Sequence, residues 1–169
     1  TTGGPIEGSA TVVDGRVYFG SLTPDQNVYC LDVNGTKIWN YTTDVSVYTT
    51  PAVVDGKVYF GSAITHTPGV APPADRRNVT CLDAATGAWI WGFLTDGNVR
   101  ASPTVVDGKV YVATYIPGNT LYCLNATTGT QIWNNTDPVS SSFSAPVVAA
   151  GSVYITTYYY NTLWQFDAE

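Results

Sequence analysis

The chain has no methionine, one histidine and few charged side chains, and these shortages narrow its possible functions. Seven basic against thirteen acidic residues give a net charge of −6 without any basic run, so nucleic acid is not an expected partner. No apolar stretch approaches the roughly 18 residues of a membrane-spanning helix, so no transmembrane segment is expected. The three cysteines form neither a Cys-Cys pair nor a Cys-x-x-Cys-His haem motif, and a lone histidine builds no catalytic constellation. We therefore expect no enzyme, no cofactor and no metal.

What the chain has instead is an internal repeat rich in tyrosine, valine and threonine, a composition typical of β-strands. Four segments place two valine-rich runs around a short turn, at residues 10–20, 52–61, 104–113 and 146–156. The turn is Asp-Gly in the first three repeats and Ala150-Gly151 in the fourth. Asp-Gly between such runs predicts a type I′ hairpin, because both central residues must adopt positive φ.

A second half follows the first three hairpins and runs from Cys-Leu-Asp or Cys-Leu-Asn to Ile-Trp, at residues 29–39, 80–91 and 122–133. Its Asp-x-x-Thr-Gly element predicts another turn, in which the Asp side chain bonds nearby backbone N–H groups. The fourth repeat starts this half at Trp164 and reaches Glu169. Four short strands in each repeat of about 40–50 residues match one propeller blade.

The fold class predicted from these repeats is an all-β propeller of about four four-stranded antiparallel blades, the last lacking its outer strand. Residues 1–169 form a single propeller or a propeller segment, with repeats at about 9–43, 50–93, 102–135 and 144–169.

Three tryptophans, Trp39, Trp91 and Trp133, each follow a turn glycine by four residues, which predicts that their flat rings dock between neighbouring blades. With Val-Val-Asp-Gly-Lys-Val-Tyr and Cys-Leu-Asp-Ala-x-Thr-Gly, this pattern resembles the tryptophan-docking repeat of the PQQ-like propeller family. The resemblance covers nearly the whole chain. It implies the fold but selects no activity, because the family includes quinone-dependent dehydrogenases, outer-membrane assembly scaffolds and surface proteins.

The cysteines Cys30, Cys81 and Cys123 occupy one equivalent position in successive repeats. Stacked sheets lie roughly 10 Å apart, and a disulfide needs Cα atoms within about 7 Å. We therefore predict buried free thiols that serve as small apolar residues.

Five Asn-x-Ser/Thr sequons favour an exported, glycosylated protein. They are the glycosylation candidates Asn34, Asn40, Asn78, Asn125 and Asn134. The alternative is a threonine-rich β-surface that carries no sugar.

The non-repeating loops are the candidate binding sites, because binding residues concentrate on loops held by a rigid scaffold. The second repeat has an insertion between its hairpins, and the other repeats have shorter loops at the same place, with tyrosine in those of the third and fourth repeats. All are expected on one face, suited to saccharide or protein recognition; the alternative is that the insertion is a proline-stiffened decoration. The candidates are His66, Arg76, Arg77, Tyr115, Tyr158, Tyr159 and Tyr160.

The repeats begin and end in the same part of the pattern, which leaves four blades short of one strand. Either this is a window on a longer propeller, or an open blade edge pairs with a neighbouring subunit and builds head-to-tail filaments.

The function predicted is a non-catalytic extracellular structural or interaction module at the cell surface, as a surface-layer, adhesin or filament subunit. The chain resembles archaeal and bacterial surface propeller proteins. Expected partners are proteins, through self-association by strand or blade complementation or through other surface proteins, and glycans. The alternatives are a periplasmic scaffold or ligand-binding propeller, and a fragment of a PQQ-dependent dehydrogenase.

Overall fold

The computed structural model describes residues 1–63, 79–115, 118–136, 144–157 and 162–169. Within these ranges the regular structure consists of β-strands, arranged in three four-stranded antiparallel sheets and one three-stranded sheet. In each sheet the strands lie side by side in chain order. Among the residues described, none forms a helix with the length and apolarity that a bilayer crossing needs.

The strands of each sheet have the following bounds. The first sheet consists of β1 (Thr11–Val13), β2 (Arg16–Gly20), β3 (Asn27–Asp32) and β4 (Lys37–Thr42). The second consists of β5 (Ala52–Val54), β6 (Lys57–Gly61), β7 (Val79–Asp83) and β8 (Trp89–Phe93). The third consists of β9 (Thr104–Val106), β10 (Lys109–Ala113), β11 (Leu121–Asn125) and β12 (Gln131–Asn135). The fourth consists of β13 (Val147–Ala149), β14 (Ser152–Thr156) and β15 (Leu163–Asp167).

The first hairpin of every sheet has the predicted turn geometry. Asp14 and Gly15 have φ of 49° and 71°, and the second and third sheets repeat this geometry at their Asp-Gly pairs. Ala150 and Gly151 adopt the same conformation, at φ of 50° and 74°. Positive φ at both central residues gives the turn a twist that matches the flanking strands.

The outer hairpin of the first three sheets contains a one-residue bulge at the isoleucine of the Ile-Trp pair. In the first sheet Cys30 pairs with Trp39 and Leu31 pairs with Lys37, so Ile38 has no partner across the ladder. The bulge keeps tryptophan opposite cysteine and on the same side of the sheet. The other two sheets have the same shift.

Successive sheets pack face to face along an arc. The first strands β1, β5, β9 and β13 contact one another in order and form the inner side of the arc. Buried side chains from neighbouring sheets form three apolar clusters, one for each pair of sheets. The predicted all-β propeller with a last blade of three strands is therefore confirmed, and its four sheets form an arc that is not closed.

Because neighbouring strands are antiparallel, the connections between them lie alternately at the two ends of each sheet. The first hairpin turns and the Asp-x-x-Thr-Gly turns lie at one end, which we call the turn face. Connections between the second and third strands of each sheet, and from one sheet to the next, lie at the other end, which we call the loop face. The insertion of the second repeat begins at Ala63, and its residues 64–78 lie outside the described residues.

Candidate interaction surfaces

The contact between two successive sheets, here called a seam, is organised around one backbone carbonyl. In the first seam Tyr18 Oη and Trp39 Nε1 of the first sheet donate to the carbonyl oxygen of Ala84 in the second, at 3.2 and 3.1 Å. Both side chains are buried, so these bonds satisfy polar groups that water cannot reach. The second seam has the same bonds, at 3.1 and 3.0 Å, at the equivalent residues Tyr59, Trp91 and Ala126.

The turn that follows β7 orients the carbonyl of Ala84 toward Tyr18 and Trp39. Asp83 Oδ1 accepts the N–H of Ala85 at 3.0 Å and both the N–H and the hydroxyl of Thr86 at 2.8 Å. The hydroxyl and backbone bonds from Thr86 lower the pKa of the Asp83 carboxyl. Gly87 completes the turn at a φ of 74°. The aspartate of the repeat is thus a turn residue, as its spacing predicts.

The turn glycine has a second role, because the tryptophan ring of the preceding sheet rests on it. A Cβ added at Gly87 would lie 2.7 Å from Cδ2 of Trp39, and one added at Gly129 would lie 2.5 Å from Cδ2 of Trp91. Real Cβ atoms do not approach so closely, so only glycine permits this docking at the present ring position.

The third seam keeps the tyrosine bond but not the tryptophan bond. Tyr111 Oη and Lys109 Nζ donate to the Ala168 carbonyl at 3.0 and 2.6 Å. The Nε1 atom of Trp133 is buried and has no hydrogen-bond partner. The tyrosine-to-carbonyl bond is therefore the feature that all three seams share.

One side of the first sheet is not covered by another sheet. On this side the carbonyl of Val33 accepts no hydrogen bond from a tyrosine of the described residues. Val33, the equivalent of Ala84, is 66% exposed, whereas Ala84 is 6% exposed. Neighbouring residues on this side are the equivalents of second-sheet residues that pack in the first seam. We call this side the acceptor face, formed by Val12, Val17, Leu31 and Val33.

The fourth sheet presents the complementary open side. Tyr154 pairs across its sheet with Val147 and Gln165, as Tyr18 does with Thr11 and Cys30. Tyr154 is half-buried, whereas the equivalent tyrosines Tyr18, Tyr59 and Tyr111 are buried in the seams. We call this side the donor face, formed by Val147, Tyr154, Leu163 and Gln165.

On the loop face, an arginine lies between two aromatic rings. The guanidinium carbon of Arg100 lies 4.6 Å from the ring centre of Tyr48 and 5.8 Å from that of Tyr115. The sequence indicated Tyr115 as a binding candidate, but not Tyr48 or Arg100. These two residues share a position in the repeat, because each stands three residues before a proline that precedes an inner strand. The other loop candidates lie outside the described residues: His66, Arg76, Arg77, Tyr158, Tyr159 and Tyr160.

A carboxylate holds the first loop of this face in place. Asp25 accepts hydrogen bonds from Ser21 Oγ at 2.7 Å, from Tyr29 Oη at 2.8 Å and from Asn27 Nδ2 at 3.0 Å. Burial would raise the pKa of Asp25, but these bonds and one from the Gly3 N–H outweigh it and lower the pKa. The composition gives no sign of this network.

The sequon asparagines differ in how accessible they are. Asn125 replaces the turn aspartate, and its Oδ1 accepts the N–H groups of Thr127 and Thr128 at 2.9 and 3.0 Å. Asn78 lies outside the described residues. The exposed ones are Asn34, Asn40 and Asn134.

Comparison with known proteins identifies the family of this repeat. The family described as outer membrane protein assembly factor BamB, with PQQ-like repeats, matches residues 75–169, more than half of the chain. The chain belongs to this PQQ-like repeat family. The expected family resemblance is thereby confirmed.

The individual relatives of this PQQ-like chain are proteins of different kinds. BamB from Moraxella catarrhalis matches 98% of this chain and 47% of its own, with a TM-score of 0.72 and 19% identity. Quinohemoprotein alcohol dehydrogenase from Comamonas testosteroni matches 91% of this chain and 29% of its own, with a TM-score of 0.68 and 19% identity. The serine/threonine-protein kinase AfsK of Streptomyces griseus is 29% identical over 163 residues, 88% of this chain and 18% of its own. The chain thus spans less than half the length of each.

The PQQ-like family raises the question of whether these residues fit a quinone cofactor. Pyrroloquinoline quinone carries several carboxylates, which need cationic partners. In the described part of the loop face the only cationic side chain is Arg100, and the rings of Tyr48 and Tyr115 lie beside it. The described residues also contain no group of three His, Cys, Asp or Glu side chains able to hold a metal ion. The described residues therefore do not fit the cofactor.

The cysteines of this PQQ-like repeat belong to the packing of the seams. Cys30, Cys81 and Cys123 are free and buried, as the sequence predicts. Burial raises the pKa of the Cys81 thiol to about 12. At neutral pH the cysteines are small, protonated core residues.

Proposed function

We propose that this chain is a non-catalytic structural and interaction module of the cell envelope, exposed at the cell surface as a surface-layer, adhesin or filament subunit. Its binding surfaces are the acceptor and donor faces, to which another propeller blade adds. The observation that carries the proposal is that each open face is one half of a seam that the chain builds three times.

Exposed apolar side chains support this use of the open faces. Val12 and Val33 on the acceptor face and Leu163 on the donor face are each more than half exposed. Their equivalents within the arc pack in the seams. An apolar sheet side of this kind favours association with a matching surface.

Two further observations favour a surface location and more than one partner. Exposed sequons at Asn34, Asn40 and Asn134 suit a glycosylated exported protein. On the loop face, Arg100 with Tyr48 and Tyr115 supplies aromatic surfaces and a cation, which suit contact with a protein or a glycan.

The second candidate is a periplasmic scaffold or ligand-binding propeller. It is favoured by the match to the BamB family and by the likeness to BamB over 98% of this chain. A fragment of a PQQ-dependent dehydrogenase is less well supported, because the described residues do not fit the quinone.

Labelling of intact cells that carry the protein tests the proposal. We expect an amine-reactive, membrane-impermeant reagent and an antibody to reach the protein without permeabilisation, and electron microscopy to show it in a lattice or in filaments. We also expect an intact mass above that of the polypeptide because of glycans. Labelling only after the outer membrane is opened would reject the surface location and favour the periplasmic scaffold.

A further inference from the structure

We infer that Arg100 forms a binding site for an acidic sugar: its guanidinium donates to the carboxylate of a uronic acid residue, and Tyr48 and Tyr115 contact the sugar ring. This inference rests on the proposed function, in which the loop face contacts a partner, and it names the chemical class of that partner.

The guanidinium of Arg100 is held by aromatic rings and not by hydrogen bonds. Its central carbon lies 4.6 Å from the ring centre of Tyr48 and 5.8 Å from that of Tyr115. Its Nε is buried without a hydrogen-bond partner, and no described residue accepts a bond from the terminal nitrogens, which are not buried. A guanidinium has five N–H donors, and a cation–π contact occupies none of them. The terminal N–H groups are therefore available to a ligand.

Two acidic side chains of the loop face already have other partners. Asp25 accepts hydrogen bonds from three neighbouring side chains. Asp96, four residues before Arg100, accepts bonds from the hydroxyls of Thr114 and Thr120. Arg100 thus has no ionic partner among the described residues, although the chain has thirteen acidic residues against seven basic ones. A ligand carboxylate would supply the missing partner.

The number of basic side chains on the loop face favours a carboxylate over a phosphate. Every other basic side chain of the described residues is the first residue of a strand that follows a turn of the turn face; these are Arg16, Lys37, Lys57 and Lys109. A doubly charged phosphate usually needs more than one cation. The planar fork of one guanidinium matches a planar carboxylate with a single charge.

The backbone around Arg100 favours a sugar over an extended peptide. Asn98 and Tyr115 donate to each other's carbonyl oxygens, at 3.1 and 2.7 Å. The N–H of Val99 donates to the carbonyl of Ser62 at 3.2 Å. A peptide that binds by strand addition needs main-chain groups without partners, and these groups are already bonded. Recognition at this place therefore depends on side chains.

The two tyrosines suit the ring of a sugar. Tyr48 and Tyr115 are each half-buried, so part of each side chain is accessible. A tyrosine has an apolar ring that packs against the C–H groups of a pyranose and a hydroxyl that bonds its polar groups. The rings also restrict the arginine side chain, which lowers the entropy lost when a ligand binds.

The test compares two sugars that differ only at C6, methyl β-D-glucuronide and methyl β-D-glucoside. Their binding to the 169-residue chain is measured by titration calorimetry and by saturation-transfer NMR. We expect the glucuronide to bind with a Kd on the order of 1 mM. The glucoside should bind at least about tenfold more weakly, because it lacks the charge-assisted hydrogen bonds.

Variants of Arg100 separate its charge from its shape. Arg100→Gln should weaken glucuronide binding about tenfold and leave glucoside binding unchanged. Arg100→Lys keeps the charge but not the planar fork, so its affinity should lie between the two. Lys37→Gln is the matched control, since it removes the same charge from an exposed residue of the turn face, and it should bind like the parent chain. Circular dichroism and melting curves confirm that each variant is folded.

Variants of Tyr48 test the aromatic contact. Tyr48→Phe keeps the ring and should retain glucuronide binding. Tyr48→Ala removes it and should weaken that binding about fivefold. Equal binding by these two variants would overturn the part of the inference that assigns the ring contact to Tyr48.

Failure of the glucuronide to bind at about 10 mM overturns the inference. So does equal binding of the two sugars, or parent affinity in Arg100→Gln. Tighter binding of N-acetylglutamate amide than of the glucuronide would also overturn it, because the site would then suit a peptide carboxylate. Any of these results combined with surface labelling of intact cells would reject the sugar site while leaving the proposed function standing. Glucuronide binding without such labelling would do the reverse.

Discussion

The indole nitrogen of Trp91 donates to the carbonyl oxygen of Ala126 in the next sheet, 3.0 Å away. Trp133 occupies the equivalent position one sheet later, yet its Nε1 is buried without a partner. The same repeat residue is thus satisfied in one seam and unsatisfied in the next, and the two give a matched pair for measuring the docking bond.

Replacing each tryptophan with phenylalanine should have different effects. Trp91→Phe loses a hydrogen bond and part of the ring contact on Gly129, and should lower the free energy of unfolding by about 1–3 kcal/mol. Trp133→Phe also loses ring contact but removes an unsatisfied buried donor, so its cost should be at least about 1 kcal/mol smaller than that of Trp91→Phe. Urea unfolding at one protein concentration measures both. Equal losses at the two sites would contradict the docking role of the Trp91 bond.

Two glycines with the same backbone conformation allow the cost of backbone strain to be measured separately from the cost of displacing the docked tryptophan ring. Gly108 and Gly129 have φ of 71° and 72°, but a Cβ would touch nothing at Gly108 and would lie 2.5 Å from the Trp91 ring at Gly129. Gly108→Ala should cost about 1–2 kcal/mol for the left-handed conformation alone. Gly129→Ala should cost about 1–3 kcal/mol more, because the ring must move. Chemical denaturation of both variants checks this, and similar costs would show that the ring adjusts freely.

The sequence predicted the features that depend on short stretches of chain. Asp14-Gly15 between two valine runs specifies its turn locally, and the register of the repeat specifies that Cys30 lies on the packed side of its sheet. The Asn125 turn could also be predicted, because Asn125 stands where the other repeats have aspartate.

The sequence did not predict features that depend on distant parts of the chain. No local pattern shows that Trp39 bonds the Ala84 carbonyl, 45 residues away, or that Arg100 meets Tyr48. The incomplete strand count predicted an open blade edge, but not which residues form the two open faces.

Asp25 should make the first loop sensitive to acid. Its pKa is lowered below the ordinary value of 3.8, so its contribution to stability is present above that pH and is lost as pH falls through the lower folded pKa. Asp25→Asn should cost about 1–2 kcal/mol at pH 7, because the amide offers one acceptor oxygen instead of two. The difference from the parent chain should shrink as the pH falls below 3.8. Glu7→Gln, at an exposed carboxylate, is the control, and a pH-independent difference for Asp25→Asn would contradict the prediction.

The buried thiols should be unreactive in the folded chain at pH 8. A thiol reagent needs the thiolate, which burial disfavours in Cys30, Cys81 and Cys123. We expect no rapid labelling of the native protein and three labelled thiols per chain after unfolding. Immediate labelling of a thiol without denaturant would show that a seam opens.

The buried thiols and phenols should lower the stability of the folded chain at alkaline pH. In the folded chain burial raises the pKa of Cys81 and Tyr111 to about 12, whereas unfolded thiols and phenols ionise near their ordinary values of 9.0 and 10.0. Because the folded state holds these protons longer, stability is fully present below pH 9 and falls as the pH rises from there toward 12. Melting temperatures measured from pH 7 to 11 should show this decline. Replacing all three cysteines with alanine should move its onset from about pH 9 to about pH 10, where the tyrosines begin to ionise. An unchanged onset in that variant would assign the alkaline loss to the tyrosines alone.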